Sequence, residues 1–332
     1  MDQLYPGISR RQLLAAAPAI AMFAPQVACA QAAEAYPRRP VTLIVPNAPG
    51  SSIDTIGRIV ANEMSPVLGQ PLVVDNKAGA AGALGVQIGR NAVPDGHTLI
   101  LASSSSITVA PLLQKAVSYR PLSDFDFVSL IALLPNVLVC NVNLPVRSTA
   151  DLISYARSKG ESSHMASAGI GSASHLAGVA LQAAAGFKSL HVPYKGGSQG
   201  VASVVSGETD WVLTPAPAAM GLVSAGRLRL LGHSMAATTR PVGDAPAIAQ
   251  AVPGFEYSGW IGLMAPKGLS PQVAEKLHSA LANALQQPRL RASFDANGAV
   301  ASASSAQAFH AYVASDIERS RKAIQIAGIQ AE

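Results

Sequence analysis

The residues best suited to chemistry sit in three short loops. The first runs Pro46-Asn47-Ala48-Pro49-Gly50-Ser51-Ser52-Ile53-Asp54, and the second runs Ser167-Ala168-Gly169-Ile170-Gly171-Ser172-Ala173-Ser174-His175. The third is Tyr194-Lys195-Gly196-Gly197-Ser198. Glycines and small side chains let the backbone approach a ligand closely, and a helix that begins in such a loop starts with unpaired N–H groups that suit an anion. Candidate binding residues are therefore Asn47, Ala48, Gly50, Ser51, Ser52 and Asp54 from the first loop. The second offers Ala168, Gly169, Gly171, Ser172 and Ser174, and the third Lys195 and Gly196. Ser51 and Asp54 also fit a capping box, which by itself accounts for both, and Ser172 or Ser174 suits an N-cap. Hydrogen bonds to a charged acceptor contribute about 1.5–3 kcal/mol each, so four or five amides can hold a carboxylate without an arginine clamp.

Rival chemistries have weaker support. Gly196-Gly197-Ser198-Gln199-Gly200 matches G-x-S-x-G, with Asp210 and then His233 following in hydrolase order, but no HGGG-like segment precedes it. Gly79-Ala80-Ala81-Gly82-Ala83-Leu84-Gly85 lacks dinucleotide-loop spacing, and close helix packing explains its glycines better. The seven histidines show no metal-ligand spacing, so no zinc or other metal site is expected. The pair Asp124 and Asp126 reads as a solvated turn.

The 332 residues suit two lobes of about 150 residues each. Apolar residues make up 49% and charged ones 13%, which excludes a disordered or coiled-coil chain. A net charge of +5, 5% aromatic residues and no basic run argue against nucleic-acid binding. A mildly basic surface still draws in small anions. Residues 1–30 read as an export signal: the twin arginine Arg10-Arg11 is followed by an apolar stretch over 13–24, and Ala28-Cys29-Ala30 places small residues at a cleavage site. Removing it leaves Cys140 as the single cysteine, and the mature chain is expected to be exported and soluble.

Short apolar runs alternate with helical patterns, predicting an α/β fold with parallel-type sheets. Strands are expected over 41–46, 72–75 and 98–102, with a helix over 53–64. A second series places strands over 164–168, 191–194 and 210–214, and helices over 174–185 and 201–206. Two apolar stretches, 125–141 broken at Pro135 and 259–266, cross between the series, and two amphipathic helices fill the tail. The expected organisation is lobe 1 over 36–134 plus 260–332 and lobe 2 over 135–259, with the ligand cleft between them.

Several segments carry a family resemblance, in order along the chain. They are Tyr36-Pro37-Arg38-Arg39-Pro40, Leu68-Gly69-Gln70-Pro71, Gly79-Ala80-Ala81-Gly82, Pro94-Asp95-Gly96-His97, Ser172 to Ala177 and His191 to Gly196. Gly226 to Arg229, then Trp260, Gly262 and Ala265-Pro266, complete the set. The chain resembles the extracytoplasmic solute-binding receptors of the tripartite tricarboxylate transporter group, the Bug proteins. That resemblance implies a two-lobed periplasmic-binding-protein fold of type II with two crossing strands. It further implies capture of a small carboxylate without a cofactor, action as a monomer, and delivery to integral-membrane subunits. It puts the carboxylate between the loops around 47–54 and 168–174, with Pro215 and Ala216 lining the far side. The chain departs from the family pattern at Asn47, at Ser51 and in its arginine-pair leader. A serine hydrolase using Ser198, and a sensory receptor handing the acid to a signalling partner, are the alternatives.

Overall fold

The run Val41–Val45 forms β1, rich in β-branched residues and buried except at Thr42. It pairs in parallel with β2 (Leu72–Asn76) on one side and β3 (Thr98–Ser103) on the other. Helix α1 (Ser52–Leu68) begins at the Ser51 N-cap and ends at Gly69, whose φ of 72° suits the left-handed stop. Helix α2 (Ala83–Arg90) follows β2, and its glycines let it lie against the first sheet. A Cβ on Gly85 would come within 2.8 Å of the Pro46 backbone, and one on Gly89 within 2.4 Å of Ile100. The close-packing reading of this segment is what the structure shows. After β3 a π-helical turn, Ser104–Val109, runs into α3 (Ala110–Leu113). The computed structural model describes residues 36–235, 242 and 244–331, so the expected leader over 1–30 lies outside the described residues.

The stretch 125–141 divides at Pro135 into β4 (Phe125–Leu134) and β5 (Asn136–Asn141). Then follow α4 (Thr149–Lys159), β6 (His164–Ser167), α5 (Ala173–Ala185), β7 (Leu190–Pro193), α6 (Gly197–Ser206), β8 (Trp211–Pro215), α7 (Met220–Ser224) and β9 (Leu228–His233). The chain returns through β10 (Gly259–Pro266) and closes with α8 (Pro271–Gln286), α9 (Pro288–Ala296), β11 (Val300–Ala301) and α10 (Ala306–Ile326). Two sheets result, ordered β11-β4-β10-β3-β1-β2 and β7-β6-β8-β5-β9.

Neither sheet is purely parallel. The strand β10 runs antiparallel to both β3 and β4, and β5 runs antiparallel to β8 and β9. Each sheet thus receives a strand from a crossing of the chain, and its direction is set by where the chain enters rather than by its apolar run. Helix α6 starts at Gly197, earlier than its apolar periodicity suggests. Strand β9, helix α4 and helix α9 were not expected from sequence, because none carries a long amphipathic stripe.

The core around the first sheet is aromatic: Trp260 and Phe127 meet Phe309 edge to face at 5.3 and 5.1 Å. Asp316 of α10 accepts the Trp260 indole N–H at 2.8 Å. The second sheet has its own core around Trp211 and Phe187. Near its end α10 leaves the first sheet: Ala323 and Ile324 pack with Leu176 of α5. Asp124 and Asp126 are not solvated. Asp124 is buried and paired with Arg90 and Arg120, and Asp126 accepts the Gly268 and Leu269 amides. Pro37–Glu332 forms one compact unit, and among the described residues no helix is long and apolar enough to cross a membrane.

Candidate ligand-binding cleft

Strand directions bring the loops together. The carboxyl ends of β1, β2 and β3 lie at one edge of the first sheet, where β10 begins and β4 ends. The carboxyl ends of β6, β7, β8 and β9 lie at one edge of the second sheet, where β5 begins. The two crossings, at Pro135 and at Ser258, join these two edges, and loops that follow β2, β3 and β6 line one cavity there. Asn136 and Ser234 tie the crossings together. Asn136 donates its backbone N–H to Ser234 Oγ at 3.0 Å and its side-chain amide to the Tyr257 carbonyl at 2.6 Å, and Tyr257 N–H reaches the Ser234 carbonyl.

The first two loops are built alike. Gly50 and Gly171 have φ of 78° and 73°, a region that favours glycine. The N-caps that follow, Ser51 and Ser172, have nearly the same backbone angles, φ −69°, ψ 159° and φ −67°, ψ 160°. Each serine hydroxyl accepts the N–H three residues on, from Asp54 and from His175. Each glycine N–H donates to the side chain four residues on: Gly50 to Asp54 Oδ2 at 2.8 Å, and Gly171 to His175 Nδ1 at 3.1 Å. The amides of Ser52 and Ile53 in α1, and of Ala173 and Ser174 in α5, are left as the first N–H groups of each helix with no intrahelical acceptor. Unpaired helix-start N–H groups of this kind suit an anion.

Asp54 is an internal support of its loop. Its carboxylate is buried and accepts from Gly50, from Asn76 Nδ2 at 2.9 Å and from Arg58 Nε at 3.0 Å. Burial pushes its pKa up, but the bonds from Arg58, Asn76 and Gly50 outweigh that and hold it below the usual carboxylate value. Asn76 also donates to the Asn47 carbonyl at 3.0 Å, and the Asn47 Oδ1 is buried with no donor among the described residues. Ala48 and Gly50 are exposed at the loop tip.

In the second loop Ser174 is buried and its hydroxyl accepts the Ala168 N–H at 2.9 Å. The Gly169 N–H goes to Ser167 Oγ, and the Ser172 N–H to the Gly169 carbonyl. His175 stacks on His191 at 3.9 Å with the rings 9° apart, and His191 Nε2 meets Ser167 Oγ at 2.6 Å. Burial, with a smaller contribution from His191, lowers the His175 pKa to about 4, and burial lowers that of His191. Both rings are therefore neutral at ordinary pH, as a nitrogen that accepts the Gly171 N–H requires. His175 thus packs within its loop and supports its turn. Stacked His191 was missed, because only the β6–β7 pairing brings it alongside.

The remaining candidates lie on other elements. Lys195 is exposed, Gly196 precedes α6, and Ala216 is fully buried with its N–H on the Pro135 carbonyl. Pro215 ends β8 and is partly exposed. A cavity of about 420 Å³ opens in the cleft between α3, α5 and the crossings. Of the residues singled out from sequence, Gly171 and Ser172 line it; Ser104, Ser105, Asn136, Tyr257 and Ser258 line it as well and were not foreseen. The serine run 103–106 directly after a strand was the available signal. Asn136 gave none.

The hydrolase constellation does not assemble. Ser198 is exposed in the first turn of α6, after the carboxyl end of β7. Asp210 precedes β8 at the opposite end of the sheet, where it accepts the His164 N–H and the Tyr155 hydroxyl. His233 ends β9, four strand positions from β7, which at about 4.8 Å per strand is about 19 Å away.

Known proteins share this architecture. The family model for the tripartite tricarboxylate transporter family receptor matches residues 56–329. BugT of Bordetella pertussis is 32% identical over 295 residues, covering 88% of this chain and 90% of its own. The solved structure of R. palustris Rpa4515 with adipate superposes with a TM-score of 0.77 at 30% identity, covering 90% of this chain and all of that one. MatC from Rhodopseudomonas palustris with bound malate gives 0.72 at 30%, covering 87% of this chain and 100% of its own. With two sheets joined by two crossings, matched Gly-Ser loops and a family match spanning most of its length, the chain belongs to the tripartite tricarboxylate transporter receptor family of Bug-type solute-binding proteins.

Proposed function

We propose that this receptor captures a small organic carboxylate in the cleft, holds it with helix-start amides from both sheets, and passes it to integral-membrane transporter subunits. The matched construction of the 50–54 and 171–175 loops carries this reading. Two left-handed glycines and two serine caps leave matching amide pairs that suit an anion with no lysine or arginine needed. Rpa4515 with adipate and MatC with malate are relatives seen with small carboxylates, which supports the same ligand class here. Residues 36–134 with 260–332 act as one lobe and 135–259 as the other, closing by a hinge at Pro135 and Ser258. Residues 1–30 act as an export signal, cleaved after Ala30, and the mature receptor works as a periplasmic monomer. No chemical transformation of the ligand is part of this role.

A thermal-shift screen of mono-, di- and tricarboxylates beside their methyl esters tests it. A bound acid at 100 times its dissociation constant adds about 2.7 kcal/mol of stability. The expected outcome is stabilisation by acids and none by the matching esters. Equal stabilisation by ester and acid, or turnover of any compound, overturns it.

A further inference from the structure

Asn136 is the first residue of β5 and is 1% exposed. Its side-chain nitrogen is used on the Tyr257 carbonyl, but among the described residues no donor reaches its Oδ1, which is buried. Buried acceptors left without donors are rare, because losing water without gaining a partner is costly. This residue lines the cavity that Gly171, Ser172 and Ala173 also line, so the residue that carries the orphan acceptor and the start of the thirteen-residue helix α5 border one space. No lysine, arginine or histidine lines that space, and its one acidic residue, Asp316, already accepts from Trp260 and Arg319. An unpartnered carbonyl oxygen repels a carboxylate and attracts a hydroxyl or N–H. Leu113, Leu176 and Val109 supply the apolar wall between.

From this juxtaposition we infer that Asn136 is a specificity-determining residue whose side-chain oxygen accepts a hydrogen bond from a hydroxyl or N–H on the bound acid. The receptor therefore selects hydroxy or amino acids over their deoxy counterparts. This rests on the carboxylate-receptor reading and adds which carboxylates are chosen. Nitrogen-to-Tyr257 contact fixes the amide's orientation, so the oxygen is the atom presented to the ligand.

The test is calorimetric titration of the mature protein with matched pairs: malate and succinate, lactate and propionate, citrate and tricarballylate, 3-hydroxybutyrate and butyrate, aspartate and succinate. The wild type is expected to prefer the donor-bearing member of its best pair by about tenfold or more. Asn136→Val should reduce that preference to about twofold or less by weakening the donor-bearing acid alone, and Asn136→Thr, near-isosteric with valine but carrying a hydroxyl acceptor, should restore part of it. A purely structural role would weaken both members equally, and that result overturns the inference. So does a wild type that binds the plain acid as well as its hydroxylated partner, and this readout needs no variant to fold. If no acid binds at all, the carboxylate reading fails and the inference falls with it. Binding without donor preference sinks the inference alone.

Discussion

The Gly171 amide donates to Nδ1 of His175, and this bond is the imidazole counterpart of the one from Gly50 to the Asp54 carboxylate. Two loops in different sheets thus reach the same backbone shape with chemically different supports. Asp54 keeps its charge under acid conditions because its bonds lower its pKa, whereas His175 supports its loop only while neutral. As the pH falls, the support of the second loop is therefore lost before that of the first.

Gly171 tests the second loop directly. At its φ of 73° any side chain is strained, and a Cβ there would sit 2.7 Å from Leu113 Cδ1. Gly171→Val is expected to cost about 1–3 kcal/mol and to abolish carboxylate-induced stabilisation while far-ultraviolet circular dichroism stays native. A variant that still shows the wild-type ligand shift would remove this loop from the site.

Stability should fall on acidification, with a sign fixed by the histidines. The folded protein holds His175 and His191 neutral at pH values where the unfolded chain, with histidine near 6.5, is protonated. The unfolded state then binds more protons, so stability is complete above about pH 6.5 and declines toward about pH 4. Urea melts across this range should show the slope, and His175→Asn should flatten it. A flat wild-type profile would contradict the neutral stacked pair.

Asp54→Ala leaves the Gly50 N–H and the Asn76 amide without their acceptor. The loss is expected to be about 1–3 kcal/mol, seen as a lower urea midpoint at unchanged slope, with weaker ligand binding as the loop loosens. Asp54→Asn keeps an acceptor oxygen and should lose less. Arg58 is half exposed, so Arg58→Ala should change stability by less than about 1 kcal/mol.

Gly262 seats the last helix. A Cβ there would lie 2.1 Å from Phe309 Cζ, so Gly262→Ala should overpack the Trp260–Phe309 contact and destabilise by about 1–3 kcal/mol. Gly221→Ala, in open space within α7, serves as the comparison and should leave the melting temperature unchanged or slightly higher. Similar melting of both variants would refute the close packing of β10 against α10.

Local chemistry wrote much of this protein into its sequence. The strand and helix alternation, the N-caps Ser51 and Ser172, the glycine stop at 186 and the Gly-Ser loops depend on neighbours within about four residues, where residue type alone decides the conformation. Long-range pairing decided the rest. Strand direction for β4, β5 and β10 follows from where the crossings enter each sheet, which no hydrophobic run encodes. Asn76 reaches Asp54 only because β1 and β2 pair in register, and His191 reaches His175 only because β6 and β7 do. Ser198, Asp210 and His233 satisfy a linear motif, yet strand order keeps them apart. Asn136 is an ordinary polar residue in the sequence; packing at the crossing buries it beside the cleft, occupies its nitrogen and leaves its oxygen without a donor among the described residues.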